Sequence, residues 1–334
     1  MLEDGFRAVT LSQLQDGELG GGAEELLVVL ADVAQCNGVV PAMLRPYIDQ
    51  FSHAIRLQFG DHNFAWEFGE QVSQFDARRE FHDVMDIVRT SEEYEASAPN
   101  SDAAWTDAVH SRVLELALRD LPSVRWHDIT AARISPPALI PRHSLGNDLE
   151  TTKLVDYAIV LNPSAALQRT LPLALDRESA AAAAATDAPP QQQSINPTPY
   201  APLRLDPICV SIATAPPHGD VSQARARLAA WGAAHLRRLD ALRRACSEQA
   251  GGGRNAPALP TLPVLLVVGA AWDLYFVRMA DDDATVVDVI GNQPVGDTKT
   301  LLGAYRLLCG LRGIAGWAAA MEAWLEETTG LVAG

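Results

Sequence analysis

Asp156 is the residue of this sequence that most directly indicates chemistry. It interrupts residues 153–161, read KLVDYAIVL, which otherwise have the apolar composition of a buried strand. A carboxylate inside such a strand is costly unless it is paired, binds a metal or lies at the open end of the strand. Asp156 is therefore the first candidate catalytic residue. The alternative is a structural acid, bonded to a backbone amide or to an arginine.

A predicted helix over residues 101–119 supplies the next candidates. Trp105 lies on its apolar face together with Asp102, whereas His110 lies about 80° around the helix from that face. We predict that Asp102, Asp107 and His110 are catalytic groups beside the strand acid, with Trp105 binding substrate next to them. The alternative for Asp102 is a capping acid that complements the helix dipole.

The stretch PICVSIATA at residues 207–215 predicts a second buried strand, ended by two prolines. It ends on the small residues Ala213, Thr214 and Ala215, at a place where α/β proteins usually carry chemistry. Alternation places Ser211 and both alanines on one face, which we expect to be the face of the strand acid. Ser211 and Thr214 are therefore candidates for binding substrate.

Lysines are scarce in this chain. Lys153 and Lys299 are the only two, so amine chemistry has two candidates. Alternation along residues 153–161 places Lys153 on the opposite face from Asp156, which predicts that Lys153 is a poor partner for that carboxylate. Tyr157, which follows the acid, is a further candidate for binding substrate.

A long helix predicted over residues 223–245 carries six arginines spread around its circumference. A solvated surface is the default interpretation of such a pattern, and a phosphate-binding surface is the alternative. We predict that Arg227 contacts substrate. Four further arginines are predicted to bind nucleic acid: Arg225, Arg237, Arg238 and Arg244.

Charge and cysteine content exclude several classes of protein. The formal net charge of −16 disfavours sequence-independent binding to DNA or to an anionic membrane. The four cysteines are scattered without metal-ligand spacing, which indicates reduced thiols. No signal peptide opens the chain, and no apolar run approaches the length of a membrane span. We therefore expect a cytoplasmic protein.

The order of predicted elements indicates an α/β fold with a mixed sheet flanked by helices. Residues 1–90 are predicted to be a helical region that packs on the core, with residues 1–20 poorly ordered. Residues 91–330 are predicted to form the domain that carries the candidate site. Within it, the low-complexity residues 176–193, read DRESAAAAAATDAPPQQQ, predict a disordered insertion.

From about residue 90 to the C-terminus the sequence resembles the fungal PD-(D/E)XK nuclease-like family. The order of a helix, three strands, a helix and a strand hairpin agrees with that family, and an acid lies in the middle strands. The resemblance implies a restriction-nuclease-like core. Six stretches carry it: SDAAWTDAVHSRVLELAL (101–118), KLVDYAIVL (153–161), SINPTPYAPL (194–203), PICVSIATA (207–215), ARLAAW (226–231) and LPVLLVVGAAWDLY (262–275).

The resemblance also implies roles for individual positions. Asp102 corresponds to the helix acid of the family, Asp156 to its motif aspartate and Arg227 to a helix glutamine. The Glu-x-Lys motif falls on Ala213 and Ala215, which can neither bind a metal nor supply a proton. In such nucleases the acids hold a divalent metal that activates water. As the sequence stands we expect no cleavage and no cofactor, with Mg²⁺ at Asp156 and Asp102 only if the site retains a metal.

The chain also looks like fungal relatives of this family, the arginine-containing cyclodipeptide synthases. These enzymes use aminoacyl-tRNAs to make cyclo-Arg-Xaa dipeptides, so the resemblance implies arginyl-tRNA and a second aminoacyl-tRNA as partners. Aminoacyl transfer needs a nucleophilic amine, a general base and placement of two substrates, but no metal. Two alternatives stay open. One is a nuclease of this family with an inactivated or mutated site, and the other is a non-catalytic pseudo-nuclease that binds a partner.

Overall fold

The protein is described by a computed structural model that covers residues 6–15, 17–59, 66–67, 73–96, 102–141, 153–186, 194–249, 257–280 and 286–330. Within these residues the strands are β1 (Phe6–Val9), β2 (Val40–Pro41), β3 (Trp66–Glu67), β4 (Val124–Asp128), β5 (Tyr157–Leu161), β6 (Ile208–Ala215), β7 (Leu262–Val268), β8 (Ala271–Met279) and β9 (Val287–Asp297). The α-helices are α1 (Gly21–Ala34), α2 (Arg45–Ile48), α3 (His53–Leu57), α4 (Gln74–Ala96), α5 (Asp102–Trp105), α6 (Ser111–Leu118), α7 (Ala165–Thr186), α8 (Val221–Gln249), α9 (Leu301–Gly316) and α10 (Ala318–Thr329). A π-helical turn, Thr106–His110, joins α5 to α6.

Seven strands form one mixed sheet in the order β1-β9-β8-β7-β6-β5-β4. Strand β6 runs parallel to β7 and β1 runs parallel to β9, whereas the other neighbours are antiparallel. Strands β5 and β6 are buried along their whole length, as their continuous apolar runs predict for strands covered on both faces. The predicted mixed α/β sheet flanked by helices is confirmed.

Helices cover both faces of this sheet. On one face α8 packs on β6, β7 and β8, and α7 and α10 pack against α8. On the other face α9 packs on β9, and α1, α4 and α6 pack against α9. Gly232 of α8 and Gly310 of α9 lie at these contacts, since a Cβ at either position would collide with a valine of the sheet. The sheet is therefore enclosed between two helical layers.

The prediction of a poorly ordered terminus is wrong for residues 6–15 and 17–20, whereas residues 1–5 and 16 lie outside the described residues. Strand β1 adds to the edge of the sheet, where Arg7 Nε lies 2.6 Å from Asp288 Oδ1. Strand β9 therefore lies inside the sheet, between β1 and β8. The residue at which we divided the chain, residue 90, falls inside α4. The two-part division of the chain stays a prediction.

The predicted disordered insertion is wrong for residues 176–186, which form the second half of α7. Alanine-rich sequence has the highest intrinsic helix propensity, which explains why a low-complexity stretch is helical here. Glu178 in this segment binds Arg238 of α8 through two hydrogen bonds of 2.5 and 2.6 Å. Residues 187–193, the rest of the predicted insertion, lie outside the described residues.

Two further features of the helices complete the description of the fold. Residues 42–57 contain three short helical segments, which are a 3₁₀ turn (Ala42–Leu44), α2 and α3. Among the helices that the structure describes, none combines the length and apolarity that crossing a membrane requires.

Candidate active site

The ammonium of Lys153 lies between two carboxylates. Its Nζ is 2.7 Å from Asp102 Oδ2 and 2.7 Å from Asp156 Oδ1. The prediction that Lys153 is a poor partner for Asp156 is wrong, because alternation applies only within a strand and β5 begins at Tyr157. Residues 153–156 precede the strand, so their side chains are free to converge.

Backbone pairing fixes the position of Asp156. Its backbone N–H donates to Ile212 O and its carbonyl accepts from Ile129 N, both at 2.8 Å. The carboxylate is 2% exposed, and its Oδ2 accepts the backbone N–H of Thr214 at 2.8 Å. Asp156 is thus a buried acid that is paired both with a cation and with a backbone amide.

Thr214 connects the two acids. Its backbone N–H binds Asp156, and its Oγ1 donates to Asp102 Oδ1 at 3.0 Å. Asp102 is the first residue of α5 and lies 28% exposed, while the Lys153 side chain is 32% exposed. We call Asp102, Lys153, Asp156 and Thr214 the lysine–acid cluster. Its exposed members are those that can reach a substrate.

Burial and pairing set the charges of the cluster. Burial raises the pKa of Asp156, although the Lys153 ammonium and the Thr214 amide oppose the shift. Burial alone would lower the pKa of Lys153, but hydrogen bonds to Asp102 and Asp156 outweigh it, and the pKa of Lys153 is raised. Lys153 therefore stays protonated at neutral pH. With both acids ionised the cluster carries a net charge of −1, which suits binding of a further cationic group.

The prediction that Ser211, Ala213 and Ala215 point to the face of β6 that Asp156 shares is wrong. Ser211 Oγ accepts a 2.9 Å hydrogen bond from Trp231 Nε1 of α8, whereas Thr214 Oγ1 reaches Asp102 of α5. The two side chains lie on opposite faces of β6, because successive residues of a strand point to alternate faces and these two are three positions apart. Ala213 and Ala215 share the parity of Ser211, so they face α8, and they are 4% and 6% exposed. Ser211 belongs to the core beneath α8, away from the lysine–acid cluster.

His110 and Trp105 are core residues, contrary to their predicted roles. The His110 ring is fully buried, and its Nε2 is 2.8 Å from Gly269 O. It stacks on the equally buried Trp105 at a centroid distance of 5.8 Å. Burial lowers the pKa of His110 to about 4, so the imidazole is neutral at physiological pH. A ring enclosed in this way reaches no substrate.

Tyr157 and Asp107 have different surroundings. The Tyr157 hydroxyl donates to Thr106 O at 2.6 Å, and burial followed by the charge of Asp156 raises the pKa of Tyr157. Tyr157 is 1% exposed, so its predicted contact with substrate is replaced by a structural role: it ties the π-helical turn to β5. Asp107 is exposed on that turn, which leaves its side chain open to a bound molecule.

The predicted basic surface on α8 is smaller than expected. Arg238 is 3% exposed, binds Glu178 in a bidentate pair and donates to Ser194 O at 2.6 Å, so it is unavailable to nucleic acid. Arg237 is half-buried and donates to Leu139 O at 3.1 Å. Arg244 is 68% exposed and pairs with Asp240 at 2.6 Å.

The two other arginines predicted to contact substrate or nucleic acid lie about three turns nearer the start of α8. Arg227 is half-buried, with Nη2 2.5 Å from Gln223 Oε1. Arg225 is half-buried beside Tyr275. Together with Arg237 and Arg244 they are the predicted nucleic-acid and substrate contacts that retain some exposure.

The residues that the structure describes do not fit a divalent metal. No three His, Cys, Asp or Glu side chains come together as a ligand set within the described parts of the chain. The space between Asp102 and Asp156 is bridged by the Lys153 ammonium, which makes the contacts that a metal would need. Position 213, implied as a further ligand, is an alanine that faces α8.

Lys153 is the functional candidate that the sequence reasoning missed. Two signals pointed to it: it is one of only two lysines, and it lies three residues before the most informative acid. Residues three positions apart are neighbours on a helical turn, so reading residues 153–156 as a turn instead of a strand would have placed both side chains together. The strand prediction was extended four residues too far and so hid the pair.

The chain was compared with known protein families, curated proteins and solved structures. A family model described as the PD-(D/E)XK nuclease superfamily matches residues 52–321. No curated protein and no solved structure gives a significant match.

Proposed function

Since the match over residues 52–321 shows that the chain belongs to the PD-(D/E)XK nuclease superfamily, we propose that it uses this fold for aminoacyl transfer. The proposed activity is that of a cyclodipeptide synthase, which joins arginine from arginyl-tRNA to a second aminoacyl group as cyclo-Arg-Xaa. The observation that carries the proposal is the Lys153 ammonium held between Asp102 and Asp156. A built-in cation at that place supports chemistry on an ester rather than metal-assisted hydrolysis of a phosphodiester.

The reaction needs two transfers of the same kind. In the first, the α-amine of one aminoacyl group attacks the ester carbonyl of the other. A C–N bond forms, the ester C–O bond breaks, and its electron pair leaves with the ribose oxygen of the tRNA. In the second transfer, the free amine of the dipeptidyl ester attacks the remaining ester carbonyl and closes the ring, releasing the second tRNA.

The lysine–acid cluster supplies the proton transfers for both steps. Asp102, the more exposed acid, accepts the proton that the attacking amine loses, and Lys153 donates a proton to the departing ribose oxygen. The 2.7 Å hydrogen bond between them then returns the proton from Asp102 to Lys153. Asp156 is buried and therefore acts on Lys153, by holding its ammonium in place.

Charge supports the choice of an arginine substrate. A net charge of −1 in the cluster and the exposed carboxylate of Asp107 favour a guanidinium, which binds carboxylates through paired hydrogen bonds. The tRNA phosphates would be held by the arginines of α8 that retain exposure, among them Arg225 and Arg244. The net charge of −16 opposes tRNA binding, so the local arginine–phosphate contacts would have to hold the tRNA, and contacts of this kind weaken as salt is raised.

Expression of the full chain in cells with a complete aminoacyl-tRNA pool, followed by mass spectrometry of the extract, tests the proposal. The wild-type protein is expected to yield cyclo-Arg-Xaa. Asp102→Asn should lower the yield about 100-fold or more, the usual effect of removing a general base. Lys299→Met, which removes the other lysine, is the matched control and should retain full yield. Absence of product from the wild-type protein, or full yield from Asp102→Asn, would refute the assignment.

The second candidate is a metal-dependent nuclease, which membership of the superfamily favours. It predicts cleavage of DNA or RNA by the wild-type protein in Mg²⁺, lost on Asp156→Asn. If the wild-type protein gives neither cyclodipeptide nor cleavage in these two assays, the remaining candidate is the non-catalytic pseudo-nuclease.

A further inference from the structure

The helix that carries Asp102 has one turn with an extra residue. Residues 102–118 are helical throughout, and the π-helical turn Thr106–His110 lies between α5 and α6. The backbone N–H of Ser111 donates to Thr106 O, five residues back instead of the four of an α-helix. Turns of this kind are rare and often lie at functional sites. The position of this one, directly after the acid of α5, indicates a function in the lysine–acid cluster.

The extra residue changes the side of the helix that Asp102 faces. Asp102 and His110 are eight residues apart, so at about 100° per residue an uninterrupted α-helix would place them about 80° apart. A turn of five residues aligns the flanking helices as though the separation were seven, which brings the two residues to within about 20° of each other. The angle predicted from the sequence therefore holds only for a helix without the π-helical turn.

The contacts of both residues agree with this alignment. Asp102 Oδ1 accepts from Thr214 Oγ1 of β6 at 3.0 Å, and His110 Nε2 donates to Gly269 O, just beyond β7, at 2.8 Å. The N–H of Gly269 in turn donates to the carbonyl of Ala215, the last residue of β6, at 3.0 Å. Both residues thus contact adjoining points at the ends of two neighbouring strands. An uninterrupted α-helix held through His110 would turn Asp102 away by about 100°.

Two hydroxyl groups bind carbonyls of the π-helical turn. Ser111 Oγ donates to Asp107 O at 2.6 Å, and so satisfies the carbonyl four residues back that the Ser111 amide does not bind. The Tyr157 hydroxyl donates to Thr106 O at 2.6 Å, the same carbonyl that the Ser111 amide does bind. Tyr157 directly follows Asp156. The segment that presents the buried acid of the cluster therefore also holds the turn that presents its more exposed acid.

We propose that Tyr157 is a positioning residue, which keeps Asp102 in contact with Lys153 by stabilising the π-helical turn. Without the Tyr157 hydroxyl the helix converts more readily to an uninterrupted α-helix, and Asp102 turns away from the ammonium. The contact that is lost is the 2.7 Å hydrogen bond from Lys153 Nζ to Asp102 Oδ2. This role of Tyr157 does not depend on the reaction that the cluster serves, so it stands apart from the proposed aminoacyl transfer.

Competitive acetylation of the full chain tests this role. The chain has two lysines, so limiting acetic anhydride at mildly alkaline pH, followed by mass spectrometry, gives the ratio of modification at Lys153 to that at Lys299. Lys299, whose side chain is 54% exposed, is the internal standard. An ammonium bound by two carboxylates is not a nucleophile, so Lys153 reacts mainly from the form in which Asp102 has released it. The ratio therefore reports the population of the released form.

Tyr157→Phe should raise this ratio about fivefold, because loss of one hydrogen bond increases the population of the released form by about that factor. Asp102→Asn, which removes the carboxylate charge altogether, should raise it at least as much. The matched control is Tyr305→Phe. Tyr305 is also buried, but its hydroxyl has no hydrogen-bond partner in the described parts of the chain. That variant should change the ratio less than about twofold.

Deletion of Ala108 distinguishes positioning from a general loss of stability. With one residue fewer, Thr106 and Ser111 are four residues apart, so an uninterrupted α-helix already gives Asp102 its observed side. When the deletion is combined with Tyr157→Phe, the ratio should return to within about twofold of the wild-type value. A general loss of stability caused by the missing hydroxyl would not be repaired by removing a residue.

Three results would overturn the proposal. One is a wild-type ratio in folded Tyr157→Phe, and another is a ratio in the combined variant as high as in Tyr157→Phe alone. The third needs no change at Tyr157: the deletion by itself should leave the ratio within about twofold of the wild-type value, and a ratio as high as that of Asp102→Asn contradicts the proposed alignment. Far-UV circular dichroism and urea midpoints, measured alongside, establish that the compared proteins are folded.

Discussion

Replacing Lys153 by methionine tests whether the lysine–acid cluster is a coupled ionic unit. Methionine fills a similar volume but leaves the Asp156 carboxylate, 2% exposed, with the Thr214 amide as its remaining partner among the contacts described above. Removing one member of a buried pair costs about 3–5 kcal/mol. Because the Lys153 side chain is 32% exposed and water can partly replace it, we expect the lower end, about 3 kcal/mol at pH 7.

The pH dependence of this loss identifies its cause. Burial already raises the pKa of Asp156, and removal of the ammonium raises it further. A carboxyl pKa raised by folding means that the folded protein binds the proton more tightly than the unfolded chain. The variant therefore recovers stability as the pH falls through that pKa and is least stable above it. The double variant Lys153→Met/Asp156→Asn, which carries no buried charge, should regain about 2 kcal/mol of the loss at pH 7.

Urea unfolding followed by far-UV circular dichroism at pH 7 and pH 5 measures these differences. Lys299→Met is the matched control, because Lys299 is 54% exposed and its Nζ lies 3.8 Å from Glu95. That exposed pair should contribute less than about 1 kcal/mol. A loss for Lys153→Met no larger than that of the control would show that the three groups are not coupled.

Three further predictions use contacts elsewhere in the fold. Arg238→Met should cost about 3 kcal/mol in urea unfolding because it leaves a nearly buried glutamate unpaired, whereas Arg244→Met, at the exposed end of α8, should cost less than about 1 kcal/mol. The free energy of unfolding should fall as the pH falls from 6.5 toward 4, because the unfolded chain takes up a proton that buried His110 (pKa about 4) does not. A urea series on His110→Phe should show a shallower slope. Gly310→Ala should lower the melting temperature because its Cβ would collide with a valine of β9, at a cost of about 1–3 kcal/mol. Gly316→Ala, whose Cβ meets nothing within 4 Å, should leave it unchanged or slightly raised.

The sheet could be predicted from sequence because its strands carry their own signal. The stretches that became β6 and β7 are continuous apolar runs, and such runs are found where both faces of a strand are buried. Asp156 stood out for the same reason, since a single acid in such a run has to be compensated. These inferences use only the local sequence, and the structure confirms the sheet that they predicted.

The arrangement of side chains depends on contacts that local sequence does not contain. His110 is a polar residue at a plausible angle on its helix, but in the fold its ring lies between Trp105 of α5 and Trp272 of β8. Arg238 was one of six arginines on one helix, and only the position of Glu178 on α7 decides that it is buried. The prediction for Lys153 depended on where β5 begins, and the ends of strands are the least certain part of a prediction from sequence pattern.

The position of Lys153 changes what the two alanines of β6 mean. The sequence suggested that loss of the Glu-x-Lys motif removed the cation of the site, but Lys153 brings an ammonium to both acids from the segment before β5. Glutamate and lysine at positions 213 and 215 would be charged groups buried beneath α8, and Lys153 would still occupy the space between Asp102 and Asp156. The double substitution Ala213→Glu/Ala215→Lys should therefore be destabilised in urea unfolding and should show no nuclease activity in Mg²⁺; cleavage by a stably folded double variant would contradict this placement of the two side chains.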